Sequence, residues 1–163
     1  MWKESGINRY SEVSLHDCMI TNIEKSGDDI VVDFGIYDSY GTYGFWIKDI
    51  AAGTCYRTGV SRIVIKECDM DYISIKEIRT QQLSEELFFD SVCDIEPEYF
   101  MKRINKRKWT FEVVEEFYST GRALYIGRIH YKKRKKESFW CCVKLQFKEL
   151  LYLWNEIRYD CHL

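Results

Sequence analysis

One proline, three histidines and no long apolar run mark this chain of 163 residues. With a single proline and nine glycines, a collagen-like or low-complexity chain is excluded. No stretch approaches the ~18 consecutive apolar residues of a membrane span, so no membrane partner is expected. The opening MWKESGINRYSEVSLHD contains no apolar run of signal-peptide length. No Cys-x-x-Cys pair is present, which argues against a zinc ribbon or a thioredoxin-like site, and no metal or other cofactor is expected. The seven cysteines (Cys18, Cys55, Cys68, Cys93, Cys141, Cys142 and Cys161) are odd in number. Cys141 and Cys142 are adjacent and would face opposite sides of a strand, so a disulfide framework is disfavoured. Reduced thiols in a cytoplasm, packed as small hydrophobes, fit better.

What is present points to one globular domain over residues 1–163. Apolar residues make up 46% and aromatics 16%, enough to bury a sizeable core and to argue against disorder. Twelve Tyr, nine Phe and five Trp favour strands. Net charge is −2, but it is unevenly placed: residues 1–98 sum to −10 and residues 99–163 to +8. Such asymmetry suits either an electrostatic partner or an acidic half facing a basic half within one fold.

Val13 to Ile23 reads as a strand, irregular around His16-Asp17. Ser26-Gly27-Asp28-Asp29 is a turn by composition, and Ile30 to Phe34 completes a hairpin. Tyr37 to Gly44 reads as a loop, Phe45-Trp46-Ile47 as a strand, and Ala51 to Gly59 as a connection. Strands follow at Ser61 to Cys68 and Tyr72 to Ile78; residues 80–95 are weakly patterned. Pro97 suits the first position of a helix carrying Phe100, Met101 and Ile104 on one face. Trp109 to Tyr118, Arg122 to Lys132 and Ser138 to Phe147 read as three long strands. Phe147, Leu150, Leu151, Trp154 and Ile157 match i, i+3, i+4, i+7 spacing and predict a C-terminal helix, with a final strand as the alternative. The expected fold class is α+β, mainly β: about eight strands in an antiparallel sheet curled into a sandwich or barrel-like form, with one or two helices. No linker and no clear period mark a repeat protein, although the two β-rich ends could be halves of a duplicated unit.

Candidate chemistry is sparse. His16-Asp17 could supply a general base or begin a metal site. The competing structural reading has His16 bonding a backbone carbonyl and Asp17 capping a bend, because adjacent strand residues point apart. Helical metal-dependent phosphohydrolases use an adjacent His-Asp pair but need further His and Asp residues on helices. His130 and His162 offer no supporting spacing. Cys18 near His16 lacks an orienting third group for a nucleophile. The YGTYG loop carries no phosphate-binding fingerprint; Tyr37, Tyr40 and Tyr43 could form an adaptable contact surface or a packed turn. No G-x-S-x-G or H-E-x-x-H appears. The run Lys132, Lys133, Arg134, Lys135 and Lys136, joined by Lys102, Arg103, Lys106, Arg107 and Lys108, could bind phosphates or form a solvated hairpin tip. The slightly negative total charge and the lack of a recognisable nucleic-acid module weigh against a nucleic-acid partner.

The segment Ser14-Leu15-His16-Asp17-Cys18-Met19-Ile20-Thr21-Asn22-Ile23, followed by a Gly-Asp turn and Ile30 to Phe34, resembles the start of a group of small bacterial domains. These open with Leu/Phe-His-Asp-small-x-Ile and a hairpin. The group is similar to immunity proteins of bacterial polymorphic-toxin systems. The resemblance covers about 20 residues and implies binding rather than catalysis: the protein would occupy and block a cognate toxin. An acidic N-terminal half would suit a basic toxin domain. His16, Asp17, Tyr37, Tyr40, Tyr43 and Lys132 to Lys136 are the candidate partner-binding residues, with no catalytic residue assigned. A nucleic-acid-associated protein using the basic tip, and a homodimer formed through an edge strand, are the competing expectations.

Overall fold

The computed structural model describes residues 2, 4–38, 41–49, 51–83, 86–132 and 138–162. The chain opens with β1 (Glu4–Ile7), β2 (Val13–Ser14), β3 (Cys18–Ser26) and β4 (Asp29–Phe34). Next come β5 (Ile36–Asp38), β6 (Gly41–Tyr43), β7 (Trp46–Asp49), β8 (Thr54–Thr58) and β9 (Ser61–Lys66). A short 3₁₀ turn (Met70–Tyr72) leads into β10 (Ser74–Leu83) and β11 (Glu86–Ile95). Helix α1 (Pro97–Asn105) precedes β12 (Trp109–Ser119), β13 (Arg122–Tyr131) and β14 (Ser138–Gln146). Strands β15 (Glu149–Trp154) and β16 (Ile157–His162) end the chain. Ten strands form an open antiparallel sheet in the order β1-β15-β9-β4-β3-β12-β13-β14-β10-β11; β16-β8-β7-β2 form a second sheet and β5-β6 a separate hairpin. The mainly β, sandwich-like class expected from the residues is therefore present, without closure into a barrel.

The large sheet is built as two halves about the β3–β12 seam. In the first, Ser26 faces Asp29, Asn22 faces Asp33 and Ile20 faces Phe34, with Thr21 left over as a bulge. In the second, Ser119 faces Arg122, Glu115 faces Ile126 and Val113 faces Gly127, with Val114 left over. Both hairpins turn on a glycine with positive φ, Gly27 and Gly121, which relieves the Cβ clash of that conformation. At the seam Ile20 faces Phe111 and Cys18 faces Val113 around the Met19–Glu112 pair, so the register reads alike from either strand. Each half then lends its next long strand to the other: β10 pairs with β14, and β15 pairs with β9. The strand order and registers of the two halves thus match by a pseudo-two-fold relation through the seam.

Alternation explains the core. Along β4, β9 and β15, buried and half-buried residues alternate, as one-sided sheets require. Ile23, Ile30 and Ile65 from the first half meet Phe111 and Leu145 from the second around one apolar interior, and Phe100 of α1 closes it. Phe45, fully buried, meets Phe34, Tyr152 and Trp154 edge-on and ties the small sheet to the large one. Helix α1 runs as expected, with Pro97 in its first turn and Phe100 and Ile104 buried four residues apart.

Several expectations are corrected. The C-terminal helix over Phe147–Ile157 is two strands. Leu150, Tyr152 and Trp154 are buried in alternation while Leu151 and Leu153 are half-exposed, and β15 lies between β1 and β9. A segment apolar at nearly every position satisfies both periods, and the neighbouring strands chose period two. The Tyr37–Gly44 loop contains the β5–β6 hairpin, and the Ala51–Gly59 connection contains β8. The weakly patterned residues 80–95 form the end of β10 and all of β11. Val13–Ile23 is not one strand: Leu15, His16 and Asp17 turn the chain between β2 and β3.

Candidate functional site

Asp17 adopts a left-handed φ of 55°, which asparagine and aspartate tolerate best among non-glycine residues. That turn removes the strand geometry expected to separate His16 from Asp17, and their side chains approach to 3.4 Å. The other half of the structural reading holds: His16 Nδ1 lies 2.7 Å from the Val114 carbonyl, so its N–H donates to the bulge. Asp17 N–H donates to the Val113 carbonyl at 2.8 Å. Leu15 is buried, and its N–H donates to Glu116 Oε1 at 2.9 Å. The Leu-His-Asp motif thus pins the entry of β3 against β12.

Behind it lies a cluster that no sequence signal predicts, because its members come from β3, β7 and β8. Arg57 donates to the carbonyls of Gly44 at 2.8 Å and Asp17 at 3.2 Å, and its guanidinium stacks 4.0 Å from the Trp46 ring. Trp46 Nε1 donates to the His16 carbonyl at 2.8 Å. Gly44 is obligatory: a Cβ there would fall 2.0 Å from Ser61 Oγ and 2.4 Å from the Gly59 carbonyl. Cys18 is fully buried, its thiol donating to main-chain carbonyls, and burial pushes its pKa up to about 12. A thiol held neutral in this way is not an activated nucleophile. Burial likewise raises Cys68 to about 11 and Cys141 to about 12.

The remaining candidates divide. Tyr43 lies under the Arg158 guanidinium, 5.0 Å from ring to cation. Tyr37 sits in β5, where only its backbone is described, and Tyr40 lies outside the described residues. Lys133, Arg134, Lys135 and Lys136 also lie outside them. Lys132 is exposed and its N–H donates to the Lys108 carbonyl, so the end of β13 lies beside Lys108.

That junction borders an open cleft of about 630 Å³ lined from both halves across the seam. Thr21 and Asn22 at the β3 bulge form one wall; Arg107, Trp109 and Thr110 form another; His130, Tyr131 and Lys132 form the third. Asn105 fixes the floor by exchanging two hydrogen bonds with the backbone of Ile23, at 2.8 and 2.6 Å. His130 Nε2 is 2.7 Å from Glu112 Oε2, and Asp33 is held by Arg62 at 2.6 Å. Among the described residues no group of three or more His, Cys, Asp or Glu side chains is placed to hold a metal. Among the described residues no helix is long and apolar enough to cross a membrane. In comparison with known proteins, no family model, no curated protein and no solved structure matches the chain.

Proposed function

We propose that this chain is a non-catalytic protein-binding module and that its partner adds a strand to β11. The carrying observation is the free edge. β11 pairs with β10 from Glu86 to Ile95 and, among the described residues, with no other strand. Among the described residues β10 pairs with β14 only from Ser74 to Ile78, so the distal part of this hairpin has no third strand there. An isolated two-stranded hairpin is marginal in water, and an exposed edge is a template for another strand. The sequence of β11 carries three acids, Glu86, Asp90 and Asp94, the last paired with Lys76 at 2.7 Å; such a strand discourages self-pairing and favours a basic partner. A toxin-neutralising role, implied by the Leu15-His16-Asp17 resemblance, is the biological form this reading takes.

The test is affinity capture from the source organism with the wild-type chain and with Asp90→Lys/Asp94→Lys. One basic protein held stoichiometrically by the wild type and lost by the variant, whose expression arrests growth unless this chain is present, supports the reading. Equal recovery by both chains, or no protein recovered, refutes it.

A further inference from the structure

One face of the large sheet packs on the apolar interior, and the strand registers set the side chains of the other face in rows across the strands. One such row runs Arg128, Trp140, Ile78, Val92, from β13 through β14 and β10 to β11. Its residues alternate with the buried Ile129, Cys141 and Ile75, so the row stands on the outer face. The row beside it reads Ile126, Cys142, Lys76, Asp94. In the first row the apolar surface opens toward the edge. Arg128 lays its guanidinium 4.7 Å from the Trp140 ring, Trp140 and Ile78 are half-buried, and Val92 at the end is 54% exposed. In the second, Lys76 holds Asp94 at 2.7 Å, yet the Asp94 side chain stays 78% exposed. Inside a sheet, each residue of a row has a cross-strand neighbour on both sides. Among the described residues, Val92 and Asp94 have one on the β10 side only.

We infer, on the basis that a strand adds to β11, that this outer face selects it: the partner strand carries a large apolar residue opposite Val92 and, two residues along, a lysine or arginine opposite Asp94. The spacing follows from strand geometry, because side chains two apart share a face whichever way the added strand runs. The apolar position follows from the first row: Val92 is backed by Ile78 and Trp140, so a residue set beside it lengthens a continuous apolar strip and withdraws Val92 from water. The basic position follows from the second row. Asp94 has a cation on one flank only, and an exposed ion pair of this kind is weak. A second cation from the partner shares the carboxylate at little cost, whereas an acid there is repelled. A second copy of β11 does not fit this pattern: paired antiparallel about Cys93, Val92 would meet Asp94. The edge thus supplies backbone hydrogen bonds to any strand, and the two rows behind it decide which strand is held.

Labelled synthetic dodecapeptides test this on the full chain, read by fluorescence anisotropy and by amide hydrogen exchange. The repeat Thr-Ile-Thr-Lys sets isoleucine and lysine alternately on one face in either strand direction. The wild type binds it saturably, and exchange slows at residues 92–95. The repeats Thr-Ser-Thr-Lys, equal in charge, and Thr-Ile-Thr-Glu, equal in apolar content, each bind about fivefold more weakly. Val92→Thr, which keeps a β-branched residue, lowers affinity for the isoleucine–lysine peptide about fivefold and leaves the serine peptide unchanged. Asp94→Asn removes the preference for lysine over glutamate; the melting temperature of each variant establishes that it is folded. Equal binding of all three peptides with residues 92–95 protected overturns the selection and leaves strand addition standing. Binding with no slowed exchange at residues 92–95 overturns strand addition and the selection with it. No binding of the isoleucine–lysine peptide overturns the selection alone, since strand addition is judged by the capture of the whole partner.

Discussion

At one end of the β3–β12 seam the carbonyl of the Val114 bulge accepts a hydrogen bond from His16 Nδ1; at the other the equivalent Thr21 bulge opens into the cleft. The hairpin registers and bulge positions of the two halves are the same. What differs is the segment that enters each seam strand. Before β3 the chain arrives through β2 with Leu15 buried, which sets His16 across the bulge. Before β12 it arrives from helix α1, Arg107 takes the left-handed φ of 51°, and Trp109 turns into the core. One repeated hairpin register thus yields a covered end and an open end. The conspicuous His-Asp motif belongs to the covered one.

The largest way to break this comparison is at Gly127, which stands where the first half has the buried Phe34. A Cβ at Gly127 would fall 1.9 Å from the Glu112 carbonyl and 2.7 Å from the Phe111 ring. Gly127→Ala is expected to cost about 3 kcal/mol or more, because the neighbour is backbone and cannot yield; urea unfolding measures it. Close behind is Phe45→Ala, which empties the contact between the two sheets at a cost of about 3–5 kcal/mol by the same measurement.

Smaller effects sharpen it. His16→Ala removes one half-exposed hydrogen bond to the Val114 carbonyl. About 1 kcal/mol is expected, or roughly 2–4 °C in Tm. A general base would instead reveal itself as lost turnover with stability intact. Thiol labelling at pH 8 should spare Cys18 in the folded chain while the half-buried Cys55 and Cys93 react, since burial holds the Cys18 thiol near 12. Rapid Cys18 labelling under native conditions would show that the covered end is not covered. Smallest is the acid limb. The Lys66 ammonium, then the Glu67 N–H, hold the Asp29 carboxyl below its ordinary 3.8. A depressed carboxyl contributes stability above its unfolded pKa and loses it as pH falls through the folded one. Asp29→Asn should therefore flatten the stability profile below about pH 4 and leave it unchanged at pH 7 apart from the lost ion pair.

How much of this was readable beforehand follows the range of each interaction. The first hairpin, the three long strands of the second half and helix α1 rest on local signals: Gly27, Gly121, Pro97 and short-range periodicity. Of the two readings given for β15 the strand is the one formed: Leu150 and Trp154 satisfy helical and strand periods alike, and β1 and β9 on its flanks decide between them. β11 was missed because, among the described residues, it has no second partner strand to impose a strong pattern. The two-fold relation lies in register and not in residue identity: Phe34 against Gly127 and Thr21 against Val114 share a position and nothing else. Of the site, the basic residues were recognised by composition, whereas Asn22, Trp109 and Thr110 reach the cleft only through the seam. Arg57 and Trp46 carried no local signal at all.

The central claim, a binding edge at β11, is tested most directly by one capture experiment with wild type, His16→Ala and Asp90→Lys/Asp94→Lys as baits in the same lysate. The account predicts that wild type and His16→Ala hold the same basic protein while the double variant loses it. Retention by the double variant, or loss in His16→Ala alone, would contradict it.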